Sequence, residues 1–307
     1  MTPLATLRAR IRTEVNTRVH GGDLHLERYD RPYGDRGLLD ADDVAWRVHG
    51  HPTGMLTGGF AALMLQSLHP LAMAAVDEHS DFRTDPVGRL HRTVGFVTTT
   101  TFGSTRAARD AIEAVRRVHT RIRGTAPDGR PYRADDPRLL TWIHVAEVSC
   151  FLAGYQTFAG TPLSPAERDR YFARVAVTAE ELGAEEVPRS AREAARYLAR
   201  VRPELTATPA ARDCVRFLRA FGRDRRERLA VTTLMNGAVV LLPAWARAEL
   251  GLRRPRAVRA GWDLPATRLL GSVLVWGCQP SAIGTAARGR LGAGTGTRSI
   301  ARDSSDG

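Results

Sequence analysis

Four of the nine histidines in this chain lie inside or beside apolar runs. His69 and His79 fall in "LMLQSLHPLAMAAVDEHS", His119 in "AIEAVRRVHTRIRG" and His144 in "RLLTWIHVAEVSCFL". A neutral imidazole can ligate a metal, move a proton or hold a hydrogen-bond partner. Buried without any of these it is costly. His119 poses the question most sharply. Ala108, Ala111, Ile112, Val115, Val118, His119 and Ile122 follow the three-and-four spacing of one helical face. Arg109, Arg116, Arg117, Arg121 and Arg123 fall mostly elsewhere on the cylinder, so the His119 ring is expected to point inward. A lone histidine on such a face is more often a satisfied core residue than a ligand. Three further histidines in similar settings raise the weight of a ligand role.

The pattern of neighbouring carboxylates narrows the metal chemistry. A zincin helix needs His-Glu-x-x-His, and none is present. A di-iron bundle needs paired Glu-x-x-His motifs, and the chain offers only the reversed His144-x-x-Glu147. Haem asks for less: one imidazole on a helix, an apolar slot and cations for two propionates. "DPVGRLHRTVGF" supplies such cations, with Arg89 and Thr93 one helical turn apart on one face and Arg92 beside them. The competing reading of Arg89 is an ordinary surface arginine.

The elements that must carry these residues read as helices almost throughout. Asp85-Pro86, Asp136-Pro137 and Thr208-Pro209 are N-caps followed by proline in the first turn. Ser164-Pro-Ala-Glu167 and Ser190-Ala-Arg-Glu193 match the capping box. Gly124, Gly160, Gly183, Gly222 and Gly251 fall where helices should stop. "VGFVTTTTF" is β-branched enough to be a strand or a strained helix end, and "APDGRPY" reads as a turn between helices. The expectation is an all-α domain of about eight to ten helices. Residues 229–246 and 264–276 are apolar enough to be central helices. An N-terminal helical extension would span 1–50, the main domain 51–291, and a disordered glycine-rich tail 292–307.

Composition excludes several classes. The net charge of +12 comes from arginine alone, since the sequence contains no lysine. The arginines are spread along the chain without a recognition motif, which favours a solvated surface over nucleic-acid binding. Three distant cysteines, Cys150, Cys214 and Cys278, give no disulfide framework or metal knuckle. The N-terminus lacks the apolar core of a signal peptide, which leads us to expect a cytoplasmic protein. Residues 52–76 and 229–246 carry no charge, yet glycine, threonine, proline and a central His69-Pro70 interrupt them. They read as buried helices lining an internal pocket rather than as membrane spans, with peripheral membrane association left open.

Three segments taken in order resemble the MpaB/rubber-oxygenase catalytic-domain family, which includes latex clearing proteins. They are "LQSLHPLAMAAVDEHSDFRTDPVGRLHRTVGF", "FGSTRAARDAIEAVRRVHTRIRG" and "YRADDPRLLTWIHVAEVSCFLAGYQTF", and the likeness continues to "LLPAWARAELGL". The resemblance implies a globin-reminiscent helical domain enclosing haem b. It assigns the axial ligand to His119 in a His-x-x-x-x-Gly motif ending at Gly124, and the Arg…Thr pair to Arg89 and Thr93. By the same resemblance His144 belongs near the cofactor, and His69 and His79 are pocket or structural positions. Latex clearing proteins carry a lysine just before the threonine. Arg92 stands there in this chain, and a guanidinium does not ligate iron. The expected activity is therefore oxidation of an apolar, isoprenoid or lipid-like small molecule by dioxygen, with Arg89, Thr93 and Arg92 at the reaction site, rather than cleavage of polyisoprene. The alternatives are another haem-dependent oxidation, peroxide-driven or dehydrogenating, and a non-catalytic haem- or lipid-binding protein. The sequence leaves the oligomeric state open.

Overall fold

A computed structural model describes residues 2–292, and the fold is all-α and single-domain apart from one small β-hairpin. In chain order the helices are α1 (Pro3–His20), α2 (Glu27–Asp30), α3 (Val44–His49), α4 (Pro52–Gln66), α5 (Pro70–His79), α6 (Pro86–Phe102) and α7 (Thr105–His119). The hairpin β1 (Arg123–Thr125) and β2 (Pro131–Arg133) follows. Then come α8 (Pro137–Phe158), α9 (Pro165–Leu182), α10 (Ala191–Val201), α11 (Pro209–Ala220), α12 (Arg225–Leu241), α13 (Ala244–Glu249), α14 (Arg256–Val258), α15 (Leu264–Cys278) and α16 (Ala282–Gly292). There are more helices than the eight to ten expected because several connections, such as α2 and α14, form single turns.

The cap signals are used as the sequence indicates. The Asp85, Asp136 and Thr208 side chains accept from first-turn N–H groups of α6, α8 and α11. Ser164 and Glu167 complete a reciprocal capping box on α9. Ser190 caps α10, but Glu193 accepts from the Arg189 N–H instead of closing the box on Ser190. Gly183 ends α9 in the left-handed conformation.

The core is built on α4 and α8, which meet almost backbone to backbone. A Cβ added to Gly58 would stand 2.8 Å from the Cys150 carbonyl oxygen and 2.9 Å from the Phe151 Cα, and one added to Gly154 would collide with the Gly54 carbonyl. On α4's other side, α12 and α15 approach closely at Gly237 and Gly271, which face Thr267 and Thr53. The Thr53 hydroxyl donates to the Gly271 carbonyl at 3.1 Å, and the Thr267 hydroxyl to the Thr233 carbonyl at 3.0 Å. These threonines satisfy buried carbonyls while filling the groove opposite glycine. Trp142, Val145, Met64 and Leu65 complete the interior around this stack.

Four readings of the sequence are refined or corrected. Of the two readings of "VGFVTTTTF", strand or helix end, the structure shows the helix end: it is the last half of α6, which runs unbroken to Phe102. Thr98 and Thr100 donate to the carbonyls of Val94 and Phe96, which settles β-branched residues in a helix. "APDGRPY" turns the β-hairpin, with Gly129 at φ +84°. The uncharged run 52–76 forms two helices bent by 104°, with His69 at the break. Among the described residues no single helix is long and apolar enough to cross a membrane, although this bent pair passes by length and composition. Residues 264–276 do not form a central helix: α15 buries one face on α4 and α12 and leaves Leu269, Val273 and Trp276 exposed. The tail beyond Gly292 lies outside the described residues.

The close α4–α8 approach yields a paired prediction. Gly154→Ala places a methyl group against backbone that cannot move aside, and should lower stability by about 1–3 kcal/mol. Gly59→Ala sits in the same α4 helix with nothing within 4 Å of its new methyl, and should raise stability by about 0.5–1 kcal/mol. Urea unfolding of both variants measures the difference, and effects of equal sign would contradict the packing described.

Candidate functional site

Helices α6 and α7 form a hairpin across the Gly103–Ser104 connection, with Ser104 capping α7 through the Ala107 N–H. Arg89 and His119 lie about equally far from that connection, so both are placed at the hairpin's open end. The inner face of α6 carries Arg89, Thr93, Val97 and Thr100. Val97 and Thr100 are buried, whereas Thr93 is exposed. On α7, Ala108 and Ile112 are buried while Val115 and His119 are half-buried. Both inner faces are thus closed near the connection and open toward Arg89 and His119.

His119 has the properties of an available ligand. Among the described residues its ring makes no hydrogen bond or ion pair, and burial lowers its pKa, partly opposed by the Asp135 carboxylate. The imidazole is therefore neutral near pH 7, with a free lone pair. The Arg89 guanidinium is half-buried and donates to the Ser80 hydroxyl. Burial is also the main influence on its acidity. Arg92 points outward, 3.3 Å from Asp85. Gly124 is explained by close approach: a side chain there would run into the Tyr132 hydroxyl and the Glu78 carboxylate. Tyr132 donates to Glu78 and lies 3.1 Å from His79 Nε2, so His79 belongs to a polar node between α5 and the β-hairpin.

A second set of groups lies deeper. Leu140, His144, Glu147 and Phe151 share one face of α8. His144 and Glu147 sit far enough inside for burial to push the imidazole down to about 4 and the carboxyl up to about 7. Both nevertheless keep some accessible surface, and His144 Nε2 has no partner. α7 packs closely on α6 and α9, and α8 on α4 and α9, so α9 bridges α7 and α8. At the inner end His49 Nδ1 lies 2.7 Å from the Thr101 hydroxyl and its Nε2 2.9 Å from the Tyr171 hydroxyl. Burial, then the nearby His144, lowers His49 to about 3. The Cys150 thiol is pushed up to about 12 by burial and by Glu147, and the buried Tyr171 hydroxyl is raised well above its usual value.

Arg89, Thr93 and His119 therefore lie at the open end of the α6–α7 hairpin, and His144 lies deeper, on α8. His69 occupies a separate corner at the α4–α5 break, 5.9 Å from Trp142 between ring centroids, with Nε2 3.9 Å from Glu204 and Nδ1 unpartnered. Sequence reasoning noted Glu147 only in the reversed His144-x-x-Glu147 pattern and gave it no role, and it passed over His49 and Tyr171. The signal for Glu147 was its place one turn after His144 on the same face. His49 gave none, because α3 is too short to display a face.

The family described as ER-bound oxygenase mpaB/B'/Rubber oxygenase, catalytic domain, matches residues 46–276. No curated protein and no solved structure matches the chain. The match takes in α4 to most of α15, and with them Arg89, Thr93, His119, His144 and Glu147. This chain belongs to the mpaB/rubber-oxygenase catalytic-domain family.

Proposed function

We propose that the protein is a haem b-dependent oxidoreductase that uses dioxygen to oxidise an apolar small molecule, isoprenoid or lipid-like in character. The observation that carries this reading is the unpartnered, neutral His119 imidazole on the inner face of α7, at the same end as Arg89. The residues present fit the group. Among the described residues no three His, Cys, Asp or Glu side chains converge on a metal position. One imidazole is therefore what the chain offers, and a porphyrin would bring its own nitrogen ligands. Haem held by His119 would supply dioxygen binding and electron transfer to the organic substrate.

The chain's own residues then have separable tasks. His119 would hold the iron. Arg89, which donates to Ser80 in the structure, would offer a propionate a charge-assisted contact. The Thr93 hydroxyl, exposed on the same α6 face, is free to meet the second propionate or the substrate. Arg92 keeps its charge on the outer rim beside Asp85. Val115, half-buried, contributes apolar wall one turn from His119. Glu147 holds or releases a proton near neutral pH, and His144, neutral one turn away, is positioned on the same face to relay it. This carboxyl also favours a second reading, peroxide in place of dioxygen, since peroxide chemistry calls for a group that moves a proton between two oxygens.

Replacing the ligand tests the haem assignment directly. His119→Ala should abolish stoichiometric haem uptake, read as loss of the Soret band after reconstitution, while far-ultraviolet circular dichroism stays helical. Arg89→Ala should weaken retention by about 1.5–3 kcal/mol, roughly ten- to a hundredfold. Unchanged haem content in the first variant would remove His119 from the site.

Glu147 is tested through stability of the haem-free protein. Its folded pKa lies above the ordinary value of 4.5, so the native state keeps a proton that the unfolded chain has lost. The group therefore costs stability progressively as pH rises from 4.5 to about 7. Glu147→Gln should match the parent below that window and exceed it above, by on the order of a few kcal/mol. Urea unfolding across the range checks this, and a pH-independent difference would show that the carboxyl does not titrate in the interior.

A further inference from the structure

Among the described residues, the outer face of α15 has no partner. Trp262, in the π-helical turn leading into α15, is 69% exposed, and Leu269, the most exposed, 72%. Val273 and Trp276 continue the same face. At a rise of 1.5 Å per residue the stripe runs for about 20 Å. It is extended at both sides. α1 crosses the C-terminal end of α15, where Ile11 packs on Gly277 and Arg8 and Arg12 donate to the carbonyls of Gln279 and Gly277. Leu4 and Leu7, on the same side of α1 as Ile11, remain exposed there. On α12, Leu229 is 69% exposed one turn before Thr233, whose carbonyl accepts the Thr267 hydroxyl of α15.

The charges around this stripe differ from those elsewhere. Arg253, Arg256 and Arg268 on the α14–α15 segment, and Arg225, Arg226 and Arg228 at the start of α12, are exposed. Among the described residues none of the six is in an ion pair. Between residues 250 and 292 the only acidic side chain is Asp263, 1% exposed and 3.2 Å from Arg254. On α7 and the β-hairpin, by contrast, arginines face carboxylates: Arg106–Asp110, Arg117–Glu113 and Arg133–Asp135. Near α12, Asp224 is engaged in capping and Glu227 in contacts with Arg18 and Arg223.

We infer that the α15 face, with Leu229 and the exposed leucines of α1, docks on the surface of an anionic lipid bilayer. The chemistry matches on both counts. Tryptophan and leucine on one side of a helix lying along the surface enter the headgroup–acyl boundary, and indole rings favour that depth. Unpaired guanidinium groups beside them meet lipid phosphates. A second copy of the chain is disfavoured as occupant, because it would bring an identical unpaired arginine rim against the first. Nucleic acid would use the arginines and leave the apolar stripe uncovered. The inference is independent of whether haem is bound.

Sedimentation of the full chain with vesicles tests it. Co-sedimentation is expected with mixed phosphatidylcholine–phosphatidylglycerol vesicles and not with phosphatidylcholine alone. Brominated lipid should quench part of the tryptophan fluorescence. Because the side chains are exposed, Leu269→Ser/Trp276→Ser should fold normally by circular dichroism yet lose at least tenfold in vesicle affinity. Arg256→Glu/Arg268→Glu should do likewise, while Arg106→Glu, on α7, should not. Three results would overturn the proposal: no binding to anionic vesicles, binding indifferent to the Leu269 and Trp276 substitutions, or a dimer in sedimentation velocity that those substitutions abolish.

Discussion

The contact on which the rest of the molecule depends is the glycine-mediated approach of α4 to α8. Gly54, Gly58 and Gly154 let two helices meet with backbone against backbone. That proximity brings the small side chains of α4 into register with the middle of α8. The long α8 is thereby anchored along one side, and its opposite side, bearing Leu140, His144, Glu147 and Phe151, is left for other partners. Leu140 finds them on α9, among Ala176 and Ala179. His144 and Glu147 lie further along that side, near His49 of α3 and Tyr171 of α9.

A second constraint closes the fold from the far end. Arg290 on α16 is completely buried and donates to the carbonyls of Tyr29, Asp35 and Phe102. One guanidinium thus ties the C-terminal helix to the chain around α2 and to the last turn of α6. Tyr29 in turn places its hydroxyl near Thr98 and Thr99. The α6–α7 hairpin is fixed at its connected end by these bonds and by His49 against Thr101, while its other end carries Arg89, Thr93 and His119 at the opening.

The structure holds two kinds of histidine. His119 is neutral and, among the described residues, unpartnered at the open end of the α6–α7 hairpin. His49 and His144 are neutral because burial disfavours their charge, and they lie near a carboxyl pushed up to about 7. In the proposed function, ligation and proton transfer would fall to different side chains.

The sequence by itself determined the helical architecture and the inward direction of His119. Caps and periodicity are local properties, written within a turn or two of the residues they govern. It determined the break at His69-Pro70 and the kinship with the oxygenase family for the same reason, since ordered motifs survive in one dimension. Several features were beyond its reach. "VGFVTTTTF" has weak intrinsic preference, and its helicity depends on back-bonded threonines and on Tyr29 and His49 from other segments. The apolar run of α15 reads as core, and only its packing showed that, among the described residues, one side has neighbours while the other stays exposed. Glu147 looks like a surface glutamate in a helical face until α9 and α3 enclose it. Burial, and with it the acidity of a carboxyl, is set by what distant segments bring to a side chain, and that is decided only when the chain has folded.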